Sequence, residues 1–307
     1  MKPVGHGTLA ERASGWALFA QLLRLMRPLQ WVKSGFVFIG MLFDEASPKL
    51  ALFGDVLLAA LAFCMVSSCV YVLNDIFDLR ADQSHPHKRT RPLASGAVSA
   101  RQAYALALVC ACMGIVLGAA ASIGVVAMLL AYMGLNLAYS AGLKHVAVLD
   151  VFLIAAGFML RIFAGTWGVG IAPSQWLLLC GLLLTVFLGF AKRRAELLAL
   201  EDSAAGDARR RPVLDEYSPA LLDTMMAISA AGVVVSYSLY TVSPDTVALH
   251  HTDKLVYTLP MVLYGMLRYI FLVHRRRGED PTTTVLSDAH MLATCAAWLC
   301  VTLWLLW

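Results

Sequence analysis

The chain has 307 residues, 60% of them hydrophobic and 14% charged, and its mean hydropathy is +0.72. Soluble domains carry nearer a quarter of their residues charged, so a soluble fold is excluded and a polytopic membrane protein is expected. The net charge of +4 is no mark of nucleic-acid binding, because the Lys and Arg residues sort by loop.

Residues 1–20 read as a polar arm. Residues 22–33 then form an amphipathic lead-in, in which Trp31 is an interfacial anchor and Gln30 and Lys33 are candidates to face a site. Nine apolar runs follow, near 32–46, 55–74, 102–120, 122–140, 146–168, 174–191, 220–242, 255–273 and 287–307. The first is the shortest. A spanning helix needs about 20 apolar residues. These runs are too long and too hydrophobic all round for barrel strands, so the fold is expected to be all-α.

Behind the second run stands Asn74-Asp75-Ile76-Phe77-Asp78-Leu79-Arg80-Ala81-Asp82. Read as a continuing helix, it places Asp75, Asp78 and Asp82 at i, i+3 and i+7, on one face, with Asn74 able to join them. Carboxylates so crowded repel unless a cation sits among them. Mg2+ suits such oxygen ligands and is usually shared with substrate phosphates. The stretch His85-Pro86-His87-Lys88-Arg89-Thr90-Arg91-Pro92 follows, so acid lies next to base. Together they suggest a site for a Mg-bound polyphosphate.

Further along, Tyr139 and Lys144 end the fourth span. Asp150 and Arg161 fall inside the fifth, where ionisable groups are functional candidates by default. They are eleven residues apart, so they share a face but sit about three turns from each other. After the sixth span comes Lys192-Arg193-Arg194-Ala195-Glu196, with Lys192 and Glu196 at i, i+4. This cluster reads either as phosphate ligands, Arg offering paired planar donors, or as the basic anchor any inner span end carries. His250-His251 reads as exposed loop. The seven cysteines all fall in spans without metal-ligand spacing and read as packing residues.

Numbering loops alternately puts nearly all Lys and Arg on one side and only Lys49 and Lys254 on the other, with Arg161 and Arg268 inside spans. That bias predicts a multi-pass protein of the plasma (inner) membrane, N-terminus and charged loops 75–101 and 192–219 cytoplasmic, C-terminus outside. No cleavable leader is expected. Residues 21–307 read as one transmembrane catalytic domain. Walker, GxGxxG, HExxH and GxSxG patterns are missing.

The run Asn74-Asp75-x-x-Asp78-x-x-x-Asp82, followed by Lys88-Arg89-Thr90-Arg91-Pro92-Leu93-Ala94-Ser95-Gly96, resembles the first motif of the UbiA superfamily of intramembrane prenyltransferases. The order of spans and loops fits across nearly the whole chain. The resemblance implies about nine transmembrane helices in a ring around a central cavity. Ordinary members carry a second aspartate-rich motif after span six, where this chain has Lys192-Arg193-Arg194-Ala195-Glu196, with Glu201 and Asp202 later. With Gln30-Trp31-Lys33, Tyr139 through Lys144 and His145–Asp150, that departure resembles the decaprenyl-phosphate phosphoribosyltransferase branch.

The branch implies 5-phosphoribosyl 1-pyrophosphate as donor, a polyprenyl phosphate as acceptor, Mg2+ as cofactor and a lipid-linked pentose for cell-wall arabinan as product. Asn74, Asp75, Asp78 and Asp82 would ligate the metal. Asn74, Asp78, Asp82 and Lys144 would be catalytic. Lys88, Arg89 and Arg91 would clamp pyrophosphate. Lys192 and Arg193, oriented by Glu196, would hold a second phosphate, and Lys144 with Tyr139 another. Gln30, Lys33, Asp150 and Arg161 complete the implied substrate-binding set. Membrane lipid is a partner, nucleic acid is not, and a homo-oligomer is left open. The alternative within the fold moves a prenyl group from a prenyl diphosphate to an aromatic or haem acceptor. A transporter or lipid-binding protein is the alternative outside enzymology.

Overall fold

Apolar runs of this length become helices because lipid offers no partner for an exposed backbone N–H or C=O, and only a helix satisfies both within one segment. The computed structural model describes residues 15–43, 49–84, 88–202, 212–275 and 281–306, and these contain no strand. The main helices are α1 (Gly15–Met26), α2 (Lys49–Phe77), α3 (Leu79–Gln83), α4 (Ala100–Ala121), α5 (Ile123–Ala141), α6 (Leu149–Ala164), α7 (Gln175–Asp202), α8 (Pro219–Val242), α9 (Leu259–Arg275) and α10 (Ala289–Leu306).

Among the described residues, eight stretches are long and apolar enough to cross a membrane, and they coincide with the last eight of the nine expected runs. The run expected at 32–46 is different. It forms an 11-residue 3-10 helix, Pro28–Phe38, followed by the short α-helix Ile39–Leu42, and its end lies outside the described residues. A 3-10 helix rises about 2.0 Å per residue, so Pro28–Leu42 still extends about 28 Å, close to the roughly 30 Å hydrocarbon core.

Two loop expectations also shift. Lys192–Asp202 continues α7 rather than opening a loop, as its Ala, Leu, Arg and Glu content favours. His250, read as exposed, is only 5% exposed and lies 3.1 Å from the Tyr240 hydroxyl, at the end of the short helix Pro244–His250. Neighbouring His251 is the exposed one.

The described residues gather into two compact units. One comprises the chain up to Pro28 together with Ser67–Cys112; the other comprises Leu29–Val66 and everything from Met113. The core of the first is built from Leu25, Cys69, Val72, Leu93, Val98 and Ala103, against which α1 lays Leu18, Leu22 and Met26. Trp16 and Phe19 of the same helix stay exposed, the amphipathic pattern of an interfacial segment.

In the second unit, α5, α6, α7 and α8 pack each on the next. Val151, Phe187, Ala191, Leu222, Met226 and Tyr269 form the centre of its core. The 3-10 segment lies tight against the end of α6. A Cβ on Gly165 would sit 1.7 Å from the Val37 carbonyl oxygen, and one on Gly40 would sit 2.2 Å from the Thr166 methyl. Backbone cannot yield as a flexible side chain does. Gly165→Ala should therefore lower the melting temperature in detergent, through overpacking worth about 1–3 kcal/mol; an unchanged melt would contradict this contact.

Candidate active site

The acidic run belongs to the first unit. α2 stops at Phe77, Asp78 forms a single turn residue, and α3 begins at Leu79. Backbone bonds from Asp78 N–H to the Asn74 carbonyl (2.9 Å) and from Asp82 N–H to the Asp78 carbonyl (2.8 Å) carry the helical path through the break. The shared face therefore survives. Nη1 of Arg91 donates to Asp75 at 3.1 Å and to Asp82 at 2.7 Å. Asp75 and Asp82 are buried, whereas Asp78, Lys88 and Arg89 are exposed.

Asp75 has a further partner. Nη2 of Arg27 donates to it at 2.6 Å while the guanidinium lies 5.1 Å from the Tyr71 ring centroid. Buried carboxylates need such partners. Arg27 was not among the expected site residues, because only the fold brings it to a residue 48 positions away. Its backbone, at φ +55°, lies in a region uncommon for non-glycine residues.

The donor set here, one amide oxygen and three carboxylates, is the hard-oxygen set that Mg2+ takes. One point of positive charge, Arg91 Nη1, is already shared by two of these carboxylates. Among the described residues no three acid, His or Cys groups form a ready-made metal cage. Mg2+ does not need one, since it is bound through one or two carboxylates with waters and substrate phosphates. The oxygen donors of Asn74, Asp75, Asp78 and Asp82 are therefore of a kind that fits Mg2+.

The second unit contains a buried polar chain. Arg193 on α7 has a fully enclosed side chain. Its Nε donates to Asp150 at 2.5 Å, its Nη1 to Glu196 at 2.5 Å and its Nη2 to the Tyr139 hydroxyl at 2.8 Å. The direct phosphate contact expected of Arg193 is not what this arrangement offers: its donors hold Glu196 and Tyr139. Asp150, expected to face substrate, is likewise wholly buried and accepts both Arg193 and the Tyr217 hydroxyl, the latter at 2.8 Å. Burial, then the neighbouring Asp150 carboxylate, push the Tyr217 phenol above its ordinary value, against a bond from Val148 N–H that favours its ionised form. Tyr217 therefore stays protonated and serves as a donor. Arg194, next along, turns away to Asp223 at 2.8 Å.

Lys144 lies half-buried on the 3-10 turn Leu143–His145. Arg161 does not meet Asp150. It is enclosed near the other end of α6, donating to the Gly157 carbonyl (2.7 Å) and the Tyr132 hydroxyl (3.2 Å). The rings of Tyr132, Phe63 and Phe158 surround it at 4.6, 5.3 and 5.7 Å. Cation–π contact of this kind stabilises a desolvated guanidinium.

The second unit also holds a cavity of about 470 Å³. Phe36, Phe158, Leu184, Phe187 and Val233 contribute to its apolar wall, and among the described residues Lys33 and Lys192 are the only charged ones that line it. A 3-10 helix eclipses positions i and i+3, so Gln30, Lys33 and Phe36 share one face. The structure thus brings Lys33 and Lys192, expected separately, to one chamber.

Residues 35–292 match the model of the UbiA prenyltransferase family. The decaprenyl-phosphate phosphoribosyltransferase of Corynebacterium glutamicum is 34% identical over 287 residues, 90% of this chain and 84% of its own length. That of Mycolicibacterium smegmatis is 32% identical over 292 residues, 92% of this chain and 91% of its own. A UbiA homolog from Archaeoglobus fulgidus bound to GPP and Mg2+ shares the fold, with a TM-score of 0.68 at 16% identity over 93% of this chain and 99% of that one.

Proposed function

We propose that this chain, which belongs to the UbiA prenyltransferase family, is a transferase that moves 5-phosphoribosyl from 5-phosphoribosyl 1-pyrophosphate to a polyprenyl phosphate. The observation that carries this reading is the apolar chamber whose only charges among the described residues are Lys33 and Lys192. A lipid tail fits its wall and an anionic head fits its two ammonium groups. The basic Lys192-Arg193-Arg194 run, where a second acidic motif would serve a prenyl diphosphate, supports it. So do the relatives that carry the phosphoribosyltransferase name.

In the proposed reaction an acceptor phosphate oxygen attacks C1 of the ribosyl group. The bond from C1 to the pyrophosphate oxygen breaks, the anomeric centre inverts and pyrophosphate leaves. The acceptor is a phosphate ester already ionised near pH 7, so no strong base is needed. Asn74, Asp75, Asp78 and Asp82 would hold Mg2+, which when bound would supply charge stabilisation to the leaving pyrophosphate. Lys88, Arg89 and Arg91 clamp its oxygens. Lys144 and Tyr139 position a phosphate, with Glu196 oriented by Arg193. The positive-inside bias puts this chemistry at the cytoplasmic face of the plasma membrane. The product is a lipid-linked pentose precursor of the kind cell-wall arabinan assembly uses.

Membranes from cells overproducing the chain should release pyrophosphate from the phosphoribosyl donor only when polyprenyl phosphate is added. Release that ignores the lipid would overturn the reading. Lys33→Gln and Lys192→Gln should each raise the apparent KM for polyprenyl phosphate about ten-fold, as for loss of a charge-assisted bond, leaving the donor KM in place. Equal effects on both substrates would remove the lysines from the acceptor site.

A further inference from the structure

We infer that Tyr217 is a positioning residue that sets the place of Lys144 by clamping a strained turn at Val148, an inference that rests on the proposed transfer for its functional meaning. Val148 has φ +67° and ψ −46°, a conformation that is a true outlier for a β-branched residue. Leu149 N–H donates back to the Ala147 carbonyl at 2.8 Å. That is the classic γ-turn, the rare and strained form. Such strain persists only where the surroundings over-determine it, and it gathers at functional sites.

One hydroxyl does the over-determining. Val148 N–H donates to the Tyr217 oxygen at 2.6 Å, and Tyr217 O–H donates to Asp150 at 2.8 Å. Tyr217 therefore ties the apex of the turn to the first turn of α6, two residues on. It is itself 5% exposed and directly follows the 3-10 segment Pro212–Glu216, which packs on the 3-10 turn Leu143–His145 that carries Lys144. From Asp150 the same chain continues through Arg193 to Glu196 and Tyr139. A single phenol thus governs both the turn that presents Lys144 and the relay that holds two other candidate substrate groups. Tyr217 lies in a loop and touches no proposed substrate atom.

The test uses detergent-purified full chain, with farnesyl phosphate as the binding probe and hydrogen exchange over residues 143–150 as a readout that needs no turnover. Tyr217→Phe keeps the ring and removes the clamp. It should weaken probe binding about ten-fold, the lower end of the loss typical of orienting partners, and speed exchange in 143–150. Val148→Gly alone should change neither, because glycine takes φ > 0 without strain. Placed in the Tyr217→Phe background, it should recover most of both. Wild-type binding and exchange in Tyr217→Phe, or a double variant no better than Tyr217→Phe, would overturn the inference. If Tyr217→Phe does not accumulate, a double variant that folds and binds supports the clamp, and one that does not accumulate either overturns it. Wild-type protein that binds the probe yet transfers no phosphoribosyl would sink the functional reading and leave the clamp standing.

Discussion

Asp78→Ala is expected to lower transfer about 1,000-fold and leave the melting temperature unchanged. The size follows from a metal-held leaving group worth several kcal/mol at about 1.4 kcal/mol per decade of rate. The selectivity follows from exposure. Asp78 is exposed at the break between α2 and α3, and surface substitutions usually shift stability by less than about 0.5 kcal/mol. Asp75 and Asp82 are different. Each is buried and ion-paired, Asp75 with Arg27 and Arg91 and Asp82 with Arg91, so removing either breaks a buried pairing and confuses lost folding with lost chemistry. Initial rates and a melt on the same preparation decide the matter; wild-type turnover in Asp78→Ala would end the metal assignment.

Asp150→Ala should be the most destabilising single change in the second unit. It leaves the enclosed Arg193 with Glu196 as its one remaining carboxylate among the described residues and takes the acceptor from Tyr217. Breaking a buried pair from one side costs about 3–5 kcal/mol, so the protein should melt early or fail to accumulate. Replacing both charges by apolar groups of similar volume is often neutral. Asp150→Leu combined with Arg193→Met should accordingly recover most of the melting temperature. It should not recover transfer, because Glu196 and Tyr139 would lose the donors that hold them. A double variant that is both stable and active would show the relay to be mere packing.

What could be read from the sequence was whatever depended on neighbours in the chain. The common face of Asp75 and Asp82 is a matter of helical spacing, and it outlasts a one-residue break. Eight spans followed from run length alone. Partners supplied by distant segments could not be read. Arg193 sits in a Lys-Arg-Arg run that looks like a solvated anchor, and it is enclosed because Asp150 and Tyr139 meet it from α6 and α5. Arg27 pairs with Asp75 across 48 positions. Tyr217 carries no periodic signal, and its role comes from one hydroxyl meeting a turn far back in the chain. The 3-10 path of Pro28–Phe38 was equally hidden. Its tight fit depends on Gly165 having no side chain, more than 120 residues later.

The most direct test of the central claim gives purified protein labelled 5-phosphoribosyl 1-pyrophosphate, polyprenyl phosphate and Mg2+. A parallel sample receives a prenyl diphosphate and an aromatic acceptor. Label entering the organic phase in the first sample, abolished by EDTA, with the prenyl diphosphate untouched in the second, is the predicted result. Consumption of the prenyl diphosphate with no transfer of phosphoribosyl would contradict the account and return the chain to aromatic prenyl transfer.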